Sequence, residues 1–290
     1  MPDQSVISPE GRPTSAGPRK TRILAVVNQK GGVGKTTTAI NLGTALAAVG
    51  RRVLILDLDP QGNASTGFGI PHGRRRVGTY ELLIGTATLA AATQKTDVPD
   101  LSIIPATPTL SGAEVELVSQ MGREFRLRDT LHDALRGDAQ GYDYVLIDCP
   151  PALGLLTVNA LVASDGVLVP LQAEFLALEG LSQLLRTVEL VRQRLNPALK
   201  IQGVVLTMVD RRNRLCEAVC DDVRRHLGAQ VYRTEIPRNV RVSEAPSHGK
   251  PVLLYDLRSA GAQAYVRLAS EFLKREEPRG DDPAKTEVAA

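Results

Sequence analysis

Long apolar segments are missing from this chain of 290 residues. No stretch approaches the roughly 18 consecutive apolar residues that a membrane-spanning helix requires. The N-terminal segment MPDQSVISPEGRPTSAGPRK also lacks the apolar core of a secretion signal. We therefore expect a cytoplasmic protein that does not bind membranes.

Cysteine is scarce as well, with only Cys149, Cys216 and Cys220. So few cysteines fit a reducing compartment. Cys216 and Cys220 have the i, i+4 spacing of a helix, and no Cys or His pair completes a metal-ligand set at a plausible spacing. We expect all three to be buried small side chains and not ligands of a metal or cluster.

Aromatic residues make up only 3% of the chain, and the net charge is only +3. A charge of this size does not by itself indicate a nucleic-acid partner, so its distribution along the chain is more informative. Hydrophobic residues make up 43%, which is ample for a buried core. The composition therefore predicts a globular protein.

Both ends of the chain are polar, and residues 1–20 and 275–290 are predicted to be disordered. Between them, in residues 21–274, short apolar runs alternate with segments of helical period. The expected strands are RILAVVN, RVLILDLD, LSIIPA, YVLIDC, GVLVPL, IQGVVLTMV and AQVYRTEI, and two expected helices are TTTAINLGTALAAVG and LEGLSQLLRTVELVRQRL. This alternation predicts one α/β domain, with a mostly parallel twisted sheet covered by helices on both faces.

The segment NQKGGVGKTTTAIN, residues 28–41, lies between the first expected strand and helix. Its glycines let successive backbone N–H groups face phosphate oxygens, beside the positive end of the helix dipole. Lys35 would reach the β- and γ-phosphates, Thr36 would ligate Mg²⁺ and Thr37 would add a phosphate contact. The spacing departs from G-x-x-x-x-G-K-[ST], because Gln29 occupies the first glycine position and an extra lysine, Lys30, follows it.

This loop resembles the deviant Walker A motif, K-G-G-x-G-K-[ST], of the P-loop NTPase family that includes the ParA and Soj partition ATPases, the MinD ATPase and the nitrogenase iron protein. In that family the early lysine serves the nucleotide of the facing subunit. The resemblance implies that Lys30 acts across an ATP-dependent homodimer, where a second cation offsets repulsion between the two nucleotides. The implied nucleotide-binding residues are Lys30, Gly31, Gly32, Val33, Gly34, Lys35, Thr36 and Thr37.

Carboxylates follow two of the expected strands. Asp57 and Asp59 end VLILDLD, where alternation places them on one face at the carboxyl edge of the sheet. Asp148 ends YDYVLID, which is typical of a Walker B strand that holds Mg²⁺ through water. The resemblance implies that Asp59 orients or activates the attacking water and that Asp57 supports the Mg²⁺ shell.

The predicted catalytic residues are therefore Lys30, Lys35 and Asp59, and the predicted metal site consists of Thr36, Asp57 and Asp148. No candidate arginine finger is evident in the loop region. Charge in the transition state would rest on the two lysines, Mg²⁺ and the loop amides, so unaided ATP hydrolysis is expected to be slow.

The resemblance to chromosomal ParA/Soj proteins continues through VVLTMVDRRNRL and IPRNVRVSEAPSHGKPVLLYDLRSAGAQAYVRLASEFL, and so covers roughly residues 21–274. The family places its adenine pocket near the IPRN segment, which implies Pro237 and Arg238 as neighbours of the base. Only about twenty residues precede the first strand, too few for the helix-turn-helix domain of larger plasmid partition proteins. Ala260 stands where related sequences often carry a basic residue.

Basic residues outnumber acidic ones by four between Lys200 and Arg258, which exceeds the +3 of the whole chain. Several of these arginines are expected in loops, and few aromatic side chains accompany them. This pattern favours contacts with DNA phosphates over the reading of bases. The predicted DNA-binding residues are Arg211, Arg212, Arg214, Arg238, Arg241 and Lys250.

The resemblance implies a partitioning ATPase of a chromosome or large plasmid. Such a protein dimerises on ATP, binds nucleoid DNA without sequence preference and is released after hydrolysis that a ParB-type centromere-binding protein stimulates. A MinD-like membrane cycle would need an amphipathic C-terminal helix, which the polar tail after Phe272 does not offer. An electron carrier like the nitrogenase iron protein would need cysteines that bridge two subunits. An ATP-gated DNA-binding scaffold with incidental hydrolysis stays open.

Overall fold

The computed structural model describes residues 21–136, 141–174 and 177–276. The arm of residues 1–20 that we predicted to be disordered lies outside these ranges, as does the tail from residue 277. The last helix ends at Glu276, so the domain boundary expected at residue 274 falls inside this helix.

Seven strands form one sheet within the described residues, in the order β3-β4-β2-β5-β1-β6-β7. All neighbouring pairs are parallel except β3 and β4. The strands are β1 (Arg22–Val26), β2 (Val53–Asp57), β3 (Gln94–Lys95), β4 (Leu101–Ile104), β5 (Tyr144–Asp148), β6 (Gly166–Gln172) and β7 (Lys200–Thr207). The mostly parallel sheet predicted from the alternation of patterns is confirmed, whereas the short edge strand β3 was not expected.

Helices cover both faces of this sheet. They are α1 (Lys35–Ala48), α2 (Asn63–Gly67), α3 (Thr79–Ile84), α4 (Leu89–Ala92), α5 (Leu110–Val118), α6 (Arg126–Arg136), α7 (Leu155–Ala163), α8 (Ala177–Arg194), α9 (Arg214–Leu227), α10 (Val240–Glu244), α11 (Val252–Tyr255) and α12 (Ala260–Glu276). None of the helices in the described ranges has the length and apolar character needed to cross a bilayer.

The core is divided by the sheet into two apolar layers. Along β2, Leu54 and Leu56 join the layer beneath α3, α5, α6, α7, α8 and α9, whereas Val53 and Ile55 join the layer beneath α1 and α12. Successive side chains of a strand point to opposite faces, so a strand covered on both sides must be apolar throughout. This explains the uninterrupted apolar runs VLIL and YVLI in the sequence.

The expected strand AQVYRTEI, residues 229–236, is wrong. This segment runs beside the edge strand β7 but pairs with it only at an isolated bridge between Val204 and Val231. The backbone N–H groups of Arg233 and Thr234 donate to the carboxylate of Glu271 on α12, at 2.8 and 2.9 Å, instead of to a strand. A side chain from a distant helix therefore interrupts the pairing, before the Ile236 N–H donates to the Leu206 carbonyl of β7 at 2.9 Å.

The three cysteines are free and buried, as predicted. Cys216 and Cys220 lie on α9, and Cys149 follows β5. In the described residues no group of three or more His, Cys, Asp or Glu side chains could hold a metal ion.

Candidate nucleotide-binding site

The loop between β1 and α1 leaves open space in front of the helix N-terminus. Gly32 and Gly34 have φ angles of 75° and 89°, in the left-handed region that glycine tolerates best. A Cβ atom added to Gly31 or Gly32 would meet no atom within 4 Å. The first N–H groups of α1 and the loop amides therefore border a space in which an anion fits.

Lys35 is the first residue of α1, and its side chain is only 6% exposed. Its ammonium group donates to the carbonyl oxygen of Lys30 at 3.0 Å. Burial lowers the pKa of Lys35, and the charges of Asp148 and Asp59 act in the opposite direction. The predicted phosphate-binding lysine thus lies between the loop and the carboxylates.

Lys30 points in a different direction from Lys35. Its backbone N–H donates to the side-chain oxygen of Asn28 at 3.0 Å, and Asn28 in turn donates to the carbonyl of Pro170 at 2.7 Å. The Lys30 ammonium forms an ion pair with Glu174, and both side chains are nearly half exposed. The loop therefore buries one lysine and presents the other at the surface.

Two residues outside the motif support the loop from β7. The Thr207 hydroxyl donates to the carbonyl of Val33 at 2.8 Å, and the next residue, Met208, has a φ of 52°. A left-handed conformation is unusual for methionine and places its chain close to Gly34. Sequence analysis missed Asn28 and Thr207; Asn28 directly precedes the motif, whereas the local sequence carries no signal for Thr207.

Asp57 and Asp148 lie side by side, because Asp57 pairs with Asp148 at the ends of β2 and β5. Asp57 is fully buried, and one oxygen accepts hydrogen bonds from the backbone and hydroxyl of Ser65 at 2.8 and 2.6 Å. Its other oxygen has no partner in the described chain. Burial raises the pKa of Asp57 to about 6, although the bonds from Ser65 lower it.

Asp148 is also fully buried, and neither of its oxygens accepts a hydrogen bond of good geometry within the described ranges. Burial, and next the charge of Asp57, raise the pKa of Asp148 well above its usual value, whereas Thr36 and Lys35 lower it. Buried carboxylate oxygens without donors are costly unless a cation or proton compensates them.

Thr36, Asp57 and Asp148 suit a magnesium ion that also binds water and phosphate, rather than a metal ion whose ligands all come from the protein. Three carboxylate oxygens of Asp57 and Asp148 have no well-formed hydrogen bond among the described residues, and the Thr36 side chain is close enough to Asp148 to lower its pKa. Mg²⁺ usually takes one or two carboxylates and completes its shell with water and phosphate oxygens. The predicted set of Thr36, Asp57 and Asp148 is therefore brought together.

Asp59 lies in the turn that follows β2 and is 7% exposed. Its Oδ1 accepts the backbone N–H of Gln61 at 3.0 Å, and its carbonyl accepts the N–H of Gly62 at 2.8 Å. The charge of Asp59 acts on the pKa values of Asp57, Asp148 and Lys35. The third predicted carboxylate therefore belongs to the same electrostatic cluster.

Pro237 and Arg238 follow the segment beside β7 and reach the same edge of the sheet. Pro237 forms an isolated bridge with Val209, and the Arg238 N–H donates to the Val209 carbonyl at 3.1 Å. Val209 lies one residue beyond Met208, which contacts the phosphate loop. The residues predicted to adjoin the base are thus near the loop.

The predicted DNA-binding residues are all exposed and lie in loops or at the starts of helices. Several already have acidic partners: Arg211 pairs with Glu235, Arg212 with Asp210, and Arg241 with Glu244 and Asp256. Arg214 and Lys250 form no ion pair within the described part of the chain. The net excess of four already includes these acidic partners, and the ion pairs show which of the arginines they offset.

Comparison with known proteins agrees with this geometry. Residues 21–201 match the family model of an AAA domain. Over 258 residues the chain is 62% identical to the chromosome partitioning protein ParA of Caulobacter vibrioides, an alignment that covers 89% of this chain and 96% of that protein. The chain belongs to the ParA/Soj family of P-loop ATPases. The family resemblance noted in the loop sequence is confirmed.

Other members of the ParA/Soj family and a solved structure extend the match. The sporulation initiation inhibitor protein Soj of Bacillus subtilis is 54% identical over 250 residues, covering 86% of this chain and 97% of that protein. A crystal structure of cobyrinic acid a,c-diamide synthase from Mycobacterium smegmatis, with bound ADP and magnesium, has a TM-score of 0.76 at 41% identity. It covers 88% of this chain and 95% of that one.

Proposed function

We propose that this protein is a partitioning ATPase of a chromosome or large plasmid, which binds ATP with Mg²⁺, dimerises and attaches to DNA. The observation that carries the proposal is the loop with two lysines of opposite exposure, Lys35 buried beside Asp148 and Lys30 presented outwards. A nucleotide site that served one subunit alone would need only the first. The family match to ParA supports this reading.

The chemistry proposed is hydrolysis of ATP to ADP and phosphate. Lys35 and the loop amides hold the phosphates, and bound Mg²⁺ would neutralise charge on the β- and γ-oxygens from the side of Thr36, Asp57 and Asp148. Asp59 orients the attacking water and accepts its proton. The water is aligned by a carboxylate whose turn is closed by hydrogen bonds from Gln61 and Gly62.

Lys30 can be released from Glu174 at small cost. Both side chains of this pair are nearly half exposed, and such surface pairs contribute about 0–1 kcal/mol. A triphosphate on a facing subunit offers several negative charges in a site from which water is excluded, where the attraction is stronger. In the proposed dimer, Lys30 therefore exchanges Glu174 for the partner's nucleotide.

Replacing Lys30 tests this exchange. Lys30→Ala is expected to keep ATP binding but to raise the dimer dissociation constant about 30-fold or more, because a charge pair buried at the interface is lost. Light scattering in the presence of ATP would measure the dissociation constant, with Lys30→Ala placed in a background that cannot hydrolyse ATP. Glu174→Gln breaks the same ion pair but keeps the lysine, so it should dimerise. A Lys30→Ala protein that dimerises like the wild type contradicts the role across subunits.

The proposed DNA surface consists of Arg211, Arg212, Arg214, Arg238, Arg241 and Lys250. The ion pairs within it do not prevent binding, because the side chains of Arg211 and Arg212 are 65% and 91% exposed and their pairs are weak. A DNA phosphate can compete for them. One subunit offers few such contacts, so a dimer that aligns two surfaces should bind far more tightly than a monomer.

Substitution of Arg214 and Lys250 tests this surface most directly. Neither forms an ion pair among the described residues, so their replacement leaves no acidic side chain without its partner. The double variant Arg214→Glu, Lys250→Glu is expected to weaken DNA binding and lower the log–log salt slope by about 2–4, because each dimer loses four cations. Binding isotherms at several salt concentrations would measure this. Arg186→Glu with Lys95→Glu changes the charge equally elsewhere. Equal salt slopes in all three proteins would place the surface elsewhere.

The function as a whole is tested by DNA co-sedimentation with ATP, with ADP and without nucleotide. Binding that depends on ATP supports the proposal, whereas equal binding in all three conditions contradicts it. A centromere-binding protein of the ParB type is the proposed activator, and it should raise ATP turnover in the presence of DNA. Turnover that no such partner changes would favour a scaffold in which hydrolysis is incidental.

A further inference from the structure

Arg75 is a buried arginine beneath the turn that carries Asp59. Only 5% of the residue is exposed, although its neighbours Arg74 and Arg76 lie at the surface. Burying a guanidinium is expensive unless its N–H groups find acceptors. Nothing in the sequence PHGRRRVG indicates that the middle arginine is buried or which acceptors its N–H groups bind.

Two of the three guanidinium nitrogens bind the segment that follows the turn. Nε and Nη2 donate to the carbonyl of Ile70 at 2.9 and 2.7 Å, and Nη2 donates to the Thr66 hydroxyl at 2.8 Å. Thr66 belongs to α2, the five-residue helix that begins directly after the turn. Arg75 thus joins the last turn of α2 and the segment that follows it to one rigid planar group.

The third nitrogen, Nη1, lies against the turn itself. It is buried and has no hydrogen-bond partner in the described ranges. A Cβ atom added to Gly62 would lie 2.3 Å from Nη1, so the guanidinium fills the space under this glycine. Gly62 donates its N–H to the carbonyl of Asp59, which closes the turn.

The same short helix also contacts the metal-site carboxylate. Ser65 donates twice to Asp57, and the next residue, Thr66, accepts from Arg75. The opposite charges of Asp57 and Arg75 attract across α2. The short helix is therefore tied to both groups, to Asp57 through Ser65 and to Arg75 through Thr66.

We propose that Arg75 is a positioning residue for ATP hydrolysis, which fixes the turn of residues 59–62 and thereby the direction of the Asp59 carboxylate. The inference rests on the proposed ATPase function. In this proposal Arg75 acts through Gly62 and Thr66 and is not itself a catalytic residue. Small displacements of a catalytic group, of about 1 Å, can reduce a rate by about 100-fold.

Arg75→Ala is expected to lower kcat for ATP hydrolysis about 10-fold or more, with KM for ATP changed less than about 2-fold. The separation follows because Lys35 and the loop glycines do not contact Arg75. Arg75→Lys keeps the charge but not the planar fork, so it should restore kcat only in part. Arg76→Ala, an exposed neighbour of the same type, is the matched control and should behave as the wild type.

A double-mutant cycle with Gly62 separates positioning from general stability. Gly62→Ala adds a Cβ that collides with Nη1, and its positive φ penalises alanine equally whether Arg75 is present or not. Removing the guanidinium first makes room for the Cβ. Gly62→Ala should therefore lower kcat by a larger factor in the wild type than in Arg75→Ala. Equal factors in the two backgrounds would overturn the proposal.

Failure of the proposed ATPase function and failure of the inference about Arg75 give different results. If the wild-type protein does not hydrolyse ATP even with DNA and a partner, the proposed function itself fails. If the wild type hydrolyses ATP and Arg75→Ala matches its kcat, only the inference about Arg75 fails. The inference is also overturned if kcat in Arg75→Ala falls only in proportion to the fraction of molecules that still bind ATP, since that shows a loss of folded protein. Thermal unfolding of each variant measures the fraction of folded protein independently.

Discussion

Lys35→Ala should bind ATP at least about 100-fold more weakly than the wild type, because truncating one partner of a buried charge pair costs about 2–5 kcal/mol. Lys35 lies at the start of α1, 6% exposed, with its ammonium held on the Lys30 carbonyl. The acceptor of that hydrogen bond is an uncharged carbonyl, so the negative charges of a triphosphate can draw the ammonium away. Calorimetric titration with a non-hydrolysable ATP analogue would measure the loss.

The control for this result is Lys95→Ala, which removes an exposed lysine from the edge strand β3, separated from β1 by three strands. It should bind the analogue normally. Lys35→Met keeps the length and volume of the side chain without its charge, so it should fail as alanine does. Binding by Lys35→Met close to that of the wild type would show that the side chain fills space and does not hold phosphate.

The nucleotide loop could be predicted because its determinants are local. Gly32 and Gly34 must adopt positive φ angles, and Lys35 must open a helix that follows a buried strand. All of this lies within a dozen consecutive residues. The carboxylates followed from the same logic, since parallel strands bring Asp57 and Asp148 to one edge of the sheet.

What the sequence did not predict depends on partners far away in the chain. Glu271 draws the N–H groups of Arg233 and Thr234 away from β7, and no pattern near either residue indicates it. In the sequence Arg75 cannot be distinguished from its exposed neighbours. Only the fold shows that it donates to the carbonyl of Ile70.

Charge counting is limited for a similar reason, because ion pairing is not visible in the sequence. A count treats every arginine between Lys200 and Arg258 alike, whereas only some of them form ion pairs in the fold. Glu235 is well covered and accepts from both Arg211 and Arg224. A sum over the sequence therefore gives the net charge of this segment but not its distribution, and Arg214 and Lys250, which form no ion pair among the described residues, are better candidates for phosphate contacts.

Asp59→Ala is expected to lower kcat about 100-fold or more while ATP binding and dimer formation persist, because general-base and water-orienting groups contribute about 10²–10⁴-fold. The phosphates keep Lys35 and the loop amides, whose contacts do not involve Asp59. The variant should therefore accumulate as an ATP-bound dimer that stays on DNA. Single-turnover hydrolysis together with co-sedimentation on DNA would measure both properties.

Asp59→Asn separates the charge of Asp59 from its structural bond. Asparagine keeps an oxygen that can accept the Gln61 N–H, so the turn should stay closed. The amide cannot accept a proton from water, and kcat should fall nearly as far as in Asp59→Ala. Asp133→Ala, on the exposed side of α6, controls for the loss of an acidic group elsewhere. If Asp59→Asn hydrolyses ATP at the wild-type rate, then Asp59 serves to shape the turn, and the group that activates water must be sought elsewhere.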